Sequence, residues 1–243
     1  IYARQKNENF KTSLPRPQDI EDVYSAIARQ GYTHVIVLMI AECLSSANNL
    51  MRLAAEEHPE LTVKVFDSKS ASIGLGALAV QVARYAVRGV AFDPLCELTK
   101  RLIDDTVVYF SLDTLEYLQR GGRIGRATAL AGGLLQIKPI LTFDRKDGLL
   151  SPAAQVRGRR GVQQRLIELA TELAAKHPGE EYNLVVCDGN VPEEGAALEA
   201  ALTRALPNAH RVLPGKIDAT LAVHLGPNLL GVGVQFLNSK LPA

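Results

Sequence analysis

The sequence predicts an α/β protein of two domains, and the order of its elements supports this prediction. In the first part of the chain, buried strands alternate with amphipathic helices, which is typical of βαβ units and a parallel sheet. After about residue 137, two strands flank a charged turn and predict an antiparallel pair, as a mixed sheet would contain. We therefore expect a three-layer parallel-sheet domain at residues 1–113 and a two-layer α/β domain with a mixed sheet at 114–243.

Composition and charge limit the classes of function. The 243 residues are 47% apolar and 22% charged, which is ordinary for a globular protein with a sizeable core. The net charge of +1 attracts no polyanion, so we expect no nucleic-acid partner. The longest apolar run, at residues 35–41, is too short to span a bilayer. Cys43, Cys96 and Cys187 lie far apart, so we expect no disulfide framework, no metal site and a reducing cytoplasm.

The elements of the first half follow from the spacing of apolar residues. Ile20, Tyr24 and Ile27 share one helical face. Residues 33–40 form a nearly continuous apolar run, which is typical of a strand buried on both faces. The same cycle repeats in four more predicted elements: a strand at 61–66, helices at 73–88 and 93–105, and a strand at 106–112.

The second half is predicted as a hairpin followed by a second α/β layer. Pro139 pushes Lys138 toward an extended conformation, so a strand is expected to begin there. Its antiparallel partner is expected at residues 149–156, after the Asp-Gly turn. The remaining predicted elements are helices at 161–176 and 193–205 and strands near 183–187, 210–213, 218–224 and 231–236.

Hydroxyl side chains and one histidine are the candidate site residues. Ligands of parallel α/β sheets bind beyond the carboxyl ends of the strands, where Ser45 and Ser46 are expected. Simple N-capping of the next helix is the alternative for these two serines. Thr12 and Ser13 alone predict only a solvated loop. His224 follows a predicted apolar strand, a position that favours a functional role although a single histidine is more often structural.

Basic residues gather near the start of the long helix at 161–176. Arg157, Arg159 and Arg160 precede it, and cations at a helix N-terminus oppose the helix macrodipole. Contact with a partner or a phosphate would explain this arrangement. A solvated charged face is the alternative, because surface charges have little effect on stability.

The segment from Leu112 to Arg157 carries the most specific motifs of the chain. It contains LEYLQRGGRI, LLQIKPIL, DG and VRG in that order. On composition alone the segment is a connector between two α/β units, but these motifs resemble those of the DegV family of bacterial fatty-acid-binding proteins. The resemblance covers essentially the whole chain: the family's Thr-Ser-Gln-Pro aligns with residues 12–15, its Ser-Ser-x-Leu-Ser-Gly-Thr loop with 41–47, and its His-x-Gly with 224–226.

The resemblance implies a fatty-acid-binding protein without catalytic chemistry, cofactor or metal of its own. One long-chain fatty acid, such as palmitate, would lie between the two domains, with its tail in an apolar tunnel that the small-residue segment after Arg126 helps to line. The carboxylate would contact Thr12, Ser13, Ser45, Ser46 and His224. A cytoplasmic location, transient membrane contact and presentation to a separate fatty acid kinase subunit are also implied, with Arg157, Arg159 and Arg160 as candidate docking residues.

Three departures from the family pattern affect the predicted carboxylate site. Glu42 replaces a serine of the family loop, and we expect its side chain to face away from the ligand or to be protonated. Ser46 and Ala47 replace a glycine and a hydroxyl residue, so we expect fewer groups in this loop to bind the carboxylate. The family's N-terminal strand, with its Asp-Ser/Thr motif, has no counterpart in this sequence, so we expect either that the strand has been lost from it or that the site is incomplete.

Two other functions stay open from the sequence alone. With Ser45 as nucleophile and His224 as base, the protein would be a serine-dependent lipid ester hydrolase, although no third member of a triad is obvious. An adaptor that acts mainly through its basic surface is the other alternative.

Overall fold

The computed structural model of the protein describes residues 1–5, 7–130 and 137–237. Within these residues the strands are β1 (His34–Met39), β2 (Thr62–Asp67), β3 (Thr106–Ser111), β4 (Ile137–Phe143), β5 (Leu150–Arg157), β6 (Tyr182–Gly189), β7 (Arg211–Lys216) and β8 (Leu229–Phe236). The helices are α1 (Pro17–Arg29), α2 (Ala47–Glu56), α3 (Ile73–Val87), α4 (Phe92–Asp104), α5 (Glu116–Arg120), a 3-10 helix (Gly125–Leu130), α6 (Arg160–Ala175), α7 (Pro192–Ala205) and α8 (Ala219–Leu225). The predicted α/β class is confirmed.

The first sheet is the centre of a three-layer unit. β1 and β2 pair in parallel over six positions. Because successive side chains of a strand point to opposite faces, the two faces of β1 meet different helices. Val35 and Val37 pack with α1 and α2, whereas Ile36 and Leu38 pack with α3 and α4. The layers therefore follow from the continuous apolar pattern of β1.

The second sheet is mixed and has six strands in the order β5-β4-β3-β8-β6-β7. Only β6 and β7 are parallel neighbours among its described strands. The helices α6 and α7 cover one face, with Leu166, Leu198 and Leu202 fully buried against it. The opposite face packs on α3 through Ile73 and Ala77. Since α3 also contacts β1, this helix lies between the two sheets.

The strand at residues 106–112 was predicted as part of the parallel sheet, and this prediction is wrong. β3 lies in the mixed sheet, where it is antiparallel to both β4 and β8. The pairing with β8 joins Thr106 to Gln235 and Ser111 to Leu230. Alternation of strands and helices predicts that a strand exists, but the partner of a strand depends on contacts distant in sequence. The division at residues 113 and 114 itself stays a prediction.

The predicted strand at 218–224 is a helix, α8. The Asp218 carboxylate accepts a hydrogen bond from the Leu221 N–H at 2.8 Å and caps the first turn. A short apolar run does not distinguish a strand from one buried face of a helix. The capping aspartate was the available signal. His224 therefore lies in the last turn of a helix, not at the end of a strand.

The small-residue segment predicted to line the tunnel is described only in part. Residues 125–130 form the 3-10 helix, with Ala127 fully buried. Residues 131–136, including Gly132 and Gly133, lie outside the described residues. A role for the whole segment stays a prediction.

Candidate functional site

An inner cavity of about 230 Å³ lies where the N-terminus of α3 meets the two sheets. Most of its wall is apolar and comes from the mixed sheet, from α8 and from the segments that follow β1 and β2. The apolar lining includes Ile40, Leu44, Ile73, Val108, Phe110, Phe143, Leu150, Ile217, Leu225 and Leu229. The polar lining is Thr12, Ser13, Ser45, Ser46, Ser72, Arg123, Thr220 and His224. The cavity therefore combines a long apolar wall with a small set of hydroxyls, one imidazole and one guanidinium.

The five residues predicted to contact a carboxylate all line this inner cavity. Thr12 and Ser13 come from the N-terminal segment, Ser45 and Ser46 from the loop after β1, and His224 from α8. Three segments distant in sequence thus converge on one cavity. Their role toward a ligand stays a prediction.

Thr12 and His224 form the central polar contact of the inner cavity. The Thr12 Oγ1 and His224 Nε2 atoms are 2.8 Å apart, in a hydrogen bond whose donor depends on the imidazole tautomer. The buried Gln5 amide donates to the Ala222 carbonyl at 2.6 Å and holds the N-terminal segment against α8. His224 Nδ1 is buried and has no hydrogen-bond partner among the described residues. The Gln5 bond therefore keeps the N-terminal segment beside His224, whose Nε2 is paired and whose Nδ1 is not.

Burial, and to a smaller extent the positive charge of Arg123, lowers the pKa of His224. The unfolded chain, with an ordinary histidine pKa of about 6.5, binds this proton more readily than the folded protein. We therefore expect His224 to reduce stability as the pH falls below about 6.5, with full stability above that value.

Comparison with the variant His224→Leu tests this pH dependence by urea unfolding. Between about pH 8 and about pH 5.5, the wild type is expected to lose more free energy of unfolding than the variant. The other histidines are present in both proteins, so their contribution cancels from the difference. An equal loss in both proteins contradicts the lowered pKa.

Sequence reasoning missed Gly121 and Arg123, which lie at the polar end of the site. A Cβ atom added at Gly121 would lie 2.4 Å from His224 Nδ1, so the imidazole packs directly on this glycine. Arg123 Nε donates to the Leu44 carbonyl at 3.1 Å, and its Nη1 donates to the Gly121 carbonyl at 2.6 Å. Both residues belong to the RGGRI motif, which was interpreted as a connector. The motif itself was the signal that could have identified them.

The substitution Gly121→Ala is expected to displace His224 and weaken the polar end of the site. A contact of 2.4 Å forces either the imidazole or the backbone to move. Overpacking of this kind costs about 1 to 3 kcal/mol. Gly76→Ala is the matched control, because Gly76 lies on the exposed face of α3 and a Cβ there meets nothing within 4 Å. We expect the control to be neutral or slightly stabilising in thermal unfolding. Equal behaviour of the two variants would contradict the packing role of Gly121.

The contacts of the loop after β1 do not match a hydrolase. Ser45 Oγ accepts a hydrogen bond from the Ala47 N–H at 3.3 Å, whereas His224 is bonded to Thr12. Ser46 occupies the N-cap position of α2 but makes no side-chain capping bond. Glu42 pairs with Arg52 and does not line the inner cavity, while its orientation toward a ligand stays a prediction. The described residues therefore contain no serine–histidine pair here that could activate a nucleophile.

The three arginines before α6 have different environments. Arg159 is partly buried, and its Nε donates to Glu194 at 2.8 Å while its Nη1 donates to the Asn228 carbonyl at 2.6 Å. Arg157 and Arg160 are exposed. Arg159 is thus bound within the protein, and a docking role for these residues stays a prediction.

The described residues contain neither a cluster of metal ligands nor a helix that could span a membrane. Among the described residues, no group of three or more His, Cys, Asp or Glu side chains could hold a metal ion. Across the same part of the chain, every helix is too short or too polar to cross a bilayer.

Comparison with known sequences finds one family over nearly the whole chain. A family model described as "Uncharacterised protein, DegV family" matches residues 2–237. A DegV domain-containing protein from Clostridium acetobutylicum is 34% identical over 233 residues, which are 96% of this chain and 81% of that protein.

Solved structures with the same fold include proteins described by their fatty acid ligands. A fatty-acid-binding DegV family protein from Thermus thermophilus is 30% identical, with a TM-score of 0.86 over 93% of this chain and 79% of that chain. A stearic acid-binding protein from Eubacterium ventriosum is 26% identical, with a TM-score of 0.88 over 99% of this chain and 84% of that chain.

Proposed function

This chain belongs to the DegV family, and we propose that it binds one long-chain fatty acid in the inner cavity. The observation that carries the proposal is the Thr12–His224 pair, which lies with a small group of polar side chains in a mostly apolar cavity. A fatty acid has the same division into a polar head and an apolar tail. The fatty-acid-binding proteins of similar structure support the proposal.

The carboxylate is assigned to Thr12, Ser13, Ser45, Ser46 and His224, with Arg123 added from its position in the same wall. Hydroxyl and imidazole groups can donate to a carboxylate, and a nearby cation favours its charged form. The apolar tail supplies most of the affinity, because each buried methylene contributes about 0.8 kcal/mol. The polar residues then orient the head group.

Presentation to a separate fatty acid kinase subunit in the cytoplasm is the finer part of the proposal. Thr12 and Ser13 are exposed, so a carboxylate held there would be within reach of a second protein. The chain would supply binding and orientation and no catalytic group. Arg157 and Arg160, both exposed, are the candidate docking residues.

Mass spectrometry of the denatured protein tests the proposal. We expect the purified protein, after incubation with palmitate and removal of free ligand, to release close to one acyl chain per protein. Protein unfolded before the incubation is the control and should release none. A folded protein that carries no acyl chain after this treatment would contradict the proposed function.

A further inference from the structure

A cluster of three arginines lies where the second half of α3 meets the mixed sheet. The Asn183 side-chain amide of β6 donates to Gln81 of α3 at 3.4 Å, and Asn183 is the register partner of Arg211 on β7. Arg84 and Arg88 follow Gln81 by about one and two turns on the same side of α3, which contacts both strands. None of the three arginines lines the inner cavity, so the cluster is separate from the proposed fatty acid site.

Arg84 is the central cation of this cluster. Its side chain is half-buried, and its Nη1 atom is buried without a hydrogen-bond partner among the described residues. Burial, and then the positive charges of Arg211 and Arg88, lower the pKa of Arg84. A guanidinium nevertheless keeps its charge at neutral pH, so it cannot relieve this cost by losing a proton. Arg84 is therefore in an unfavourable position unless a negative charge compensates it.

The described part of the chain supplies no such negative charge. No carboxylate there lies within ion-pair distance of any of the three arginines. Glu181 is exposed and acts on Tyr85, which also feels the charge of Arg88, but Glu181 forms no ion pair with the cluster. The macrodipole of α3 favours cations at its C-terminal end and thus Arg84 and Arg88. It does not account for Arg211, which comes from β7.

A phosphate-type anion suits this cluster better than a carboxylate does. A carboxylate would balance only one of three positive charges, whereas a phosphate monoester carries about −1.5 to −2 at pH 7 and has three strong acceptor oxygens. The planar guanidinium group of arginine donates two parallel hydrogen bonds to phosphate oxygens, which lysine cannot do.

We propose that Arg84, Arg88 and Arg211 form a binding site for a phosphate-type anion, whether free phosphate or the monoester headgroup of a lipid. The buried Nη1 of Arg84 donates to the anion from within the protein. Arg88 and Arg211, which are both exposed, bind it from the solvent side. The site goes beyond the proposed function, because it neither contacts a fatty acid nor depends on one.

Arginine variants test the site by calorimetric titration with inorganic phosphate at constant ionic strength, which keeps the screening of charges unchanged. We expect saturable binding to the wild type and a Kd about tenfold weaker in Arg84→Met and in Arg211→Met. The matched control is Arg29→Met, which removes an exposed arginine in the last turn of α1 and should change the Kd by less than about twofold. Arg211→Met alters an exposed side chain at the edge of the sheet, so the test does not depend on how Arg84→Met folds.

Sedimentation with phosphatidylcholine vesicles, with and without phosphatidic acid, identifies the source of the anion. Free phosphate is the ligand if inorganic phosphate binds and both variants weaken it. A lipid headgroup is the ligand if only the vesicles with phosphatidic acid bind and both variants weaken that binding. Absence of both kinds of binding in the wild type, or equal affinity in the wild type and both variants, overturns the site.

Palmitate binding by the same proteins separates this site from the proposed function. Both variants should bind palmitate as the wild type does, since neither arginine lines the inner cavity. If both variants lose palmitate and phosphate together, α3 has been displaced and the arginine site is overturned. If the wild type binds phosphate but not palmitate, the proposed function fails and the arginine site stands.

Discussion

Thr12→Val and His224→Leu are each expected to weaken palmitate binding roughly 10- to 100-fold. Each variant removes one hydrogen bond to the carboxylate, and a hydrogen bond to a charged group contributes about 1.5 to 3 kcal/mol. Thr12 Oγ1 and His224 Nε2 lie 2.8 Å apart and line the same cavity, so one carboxylate can reach both. Valine keeps the shape of threonine and removes only its hydroxyl. Equilibrium displacement of a fluorescent fatty acid measures the change.

The double variant shows whether the two residues act together. If both contact one carboxylate, their effects should be non-additive, with a coupling free energy of about 0.5 to 3 kcal/mol. Thermal unfolding of each variant without ligand is the control for a general loss of stability. If both single variants bind palmitate with unchanged affinity, Thr12 and His224 do not contact the carboxylate.

A larger side chain in the apolar wall of the inner cavity is expected to shorten the acyl chain that the protein accepts. In the wild type, affinity should rise about fourfold per methylene from octanoate toward palmitate, because each buried methylene contributes about 0.8 kcal/mol. Ile217 lines the cavity and is only partly buried, so tryptophan can replace it with limited strain in the core. If Ile217→Trp excludes two methylenes, palmitate binding falls about 15-fold.

Octanoate and a surface variant are the controls for this chain-length experiment. Octanoate should bind wild type and Ile217→Trp with similar affinity, since its shorter tail does not reach the added ring. Val87→Trp adds the same ring at a position that is 88% exposed and does not line the inner cavity, so the binding of no ligand should be affected. If Ile217→Trp leaves the whole chain-length series unchanged, the tail does not lie along this wall.

Much of the candidate site could be predicted because its residues belong to short local motifs. Thr12, Ser45 and His224 were identified from strings of three to seven residues, and all three line the inner cavity. The RGGRI motif contains Gly121, but the sequence did not predict the contact of Gly121 with His224. The two residues are 103 positions apart, and close packing over such a separation leaves no periodic signal in the sequence.

The sequence by itself determined the α/β class, the family and most of the strands and helices, because apolar periodicity, capping residues and local motifs act over a few neighbouring positions. Only the tertiary structure decided that β3 joins the mixed sheet, that the run before His224 is a helix against the N-terminal segment, and that Thr12 and His224 meet at the wall of one cavity. The physical reason is the same in each case. Strand partners, helix docking and cavity walls depend on contacts between residues far apart in the chain, which compete for the same buried surface and are settled together when the chain folds.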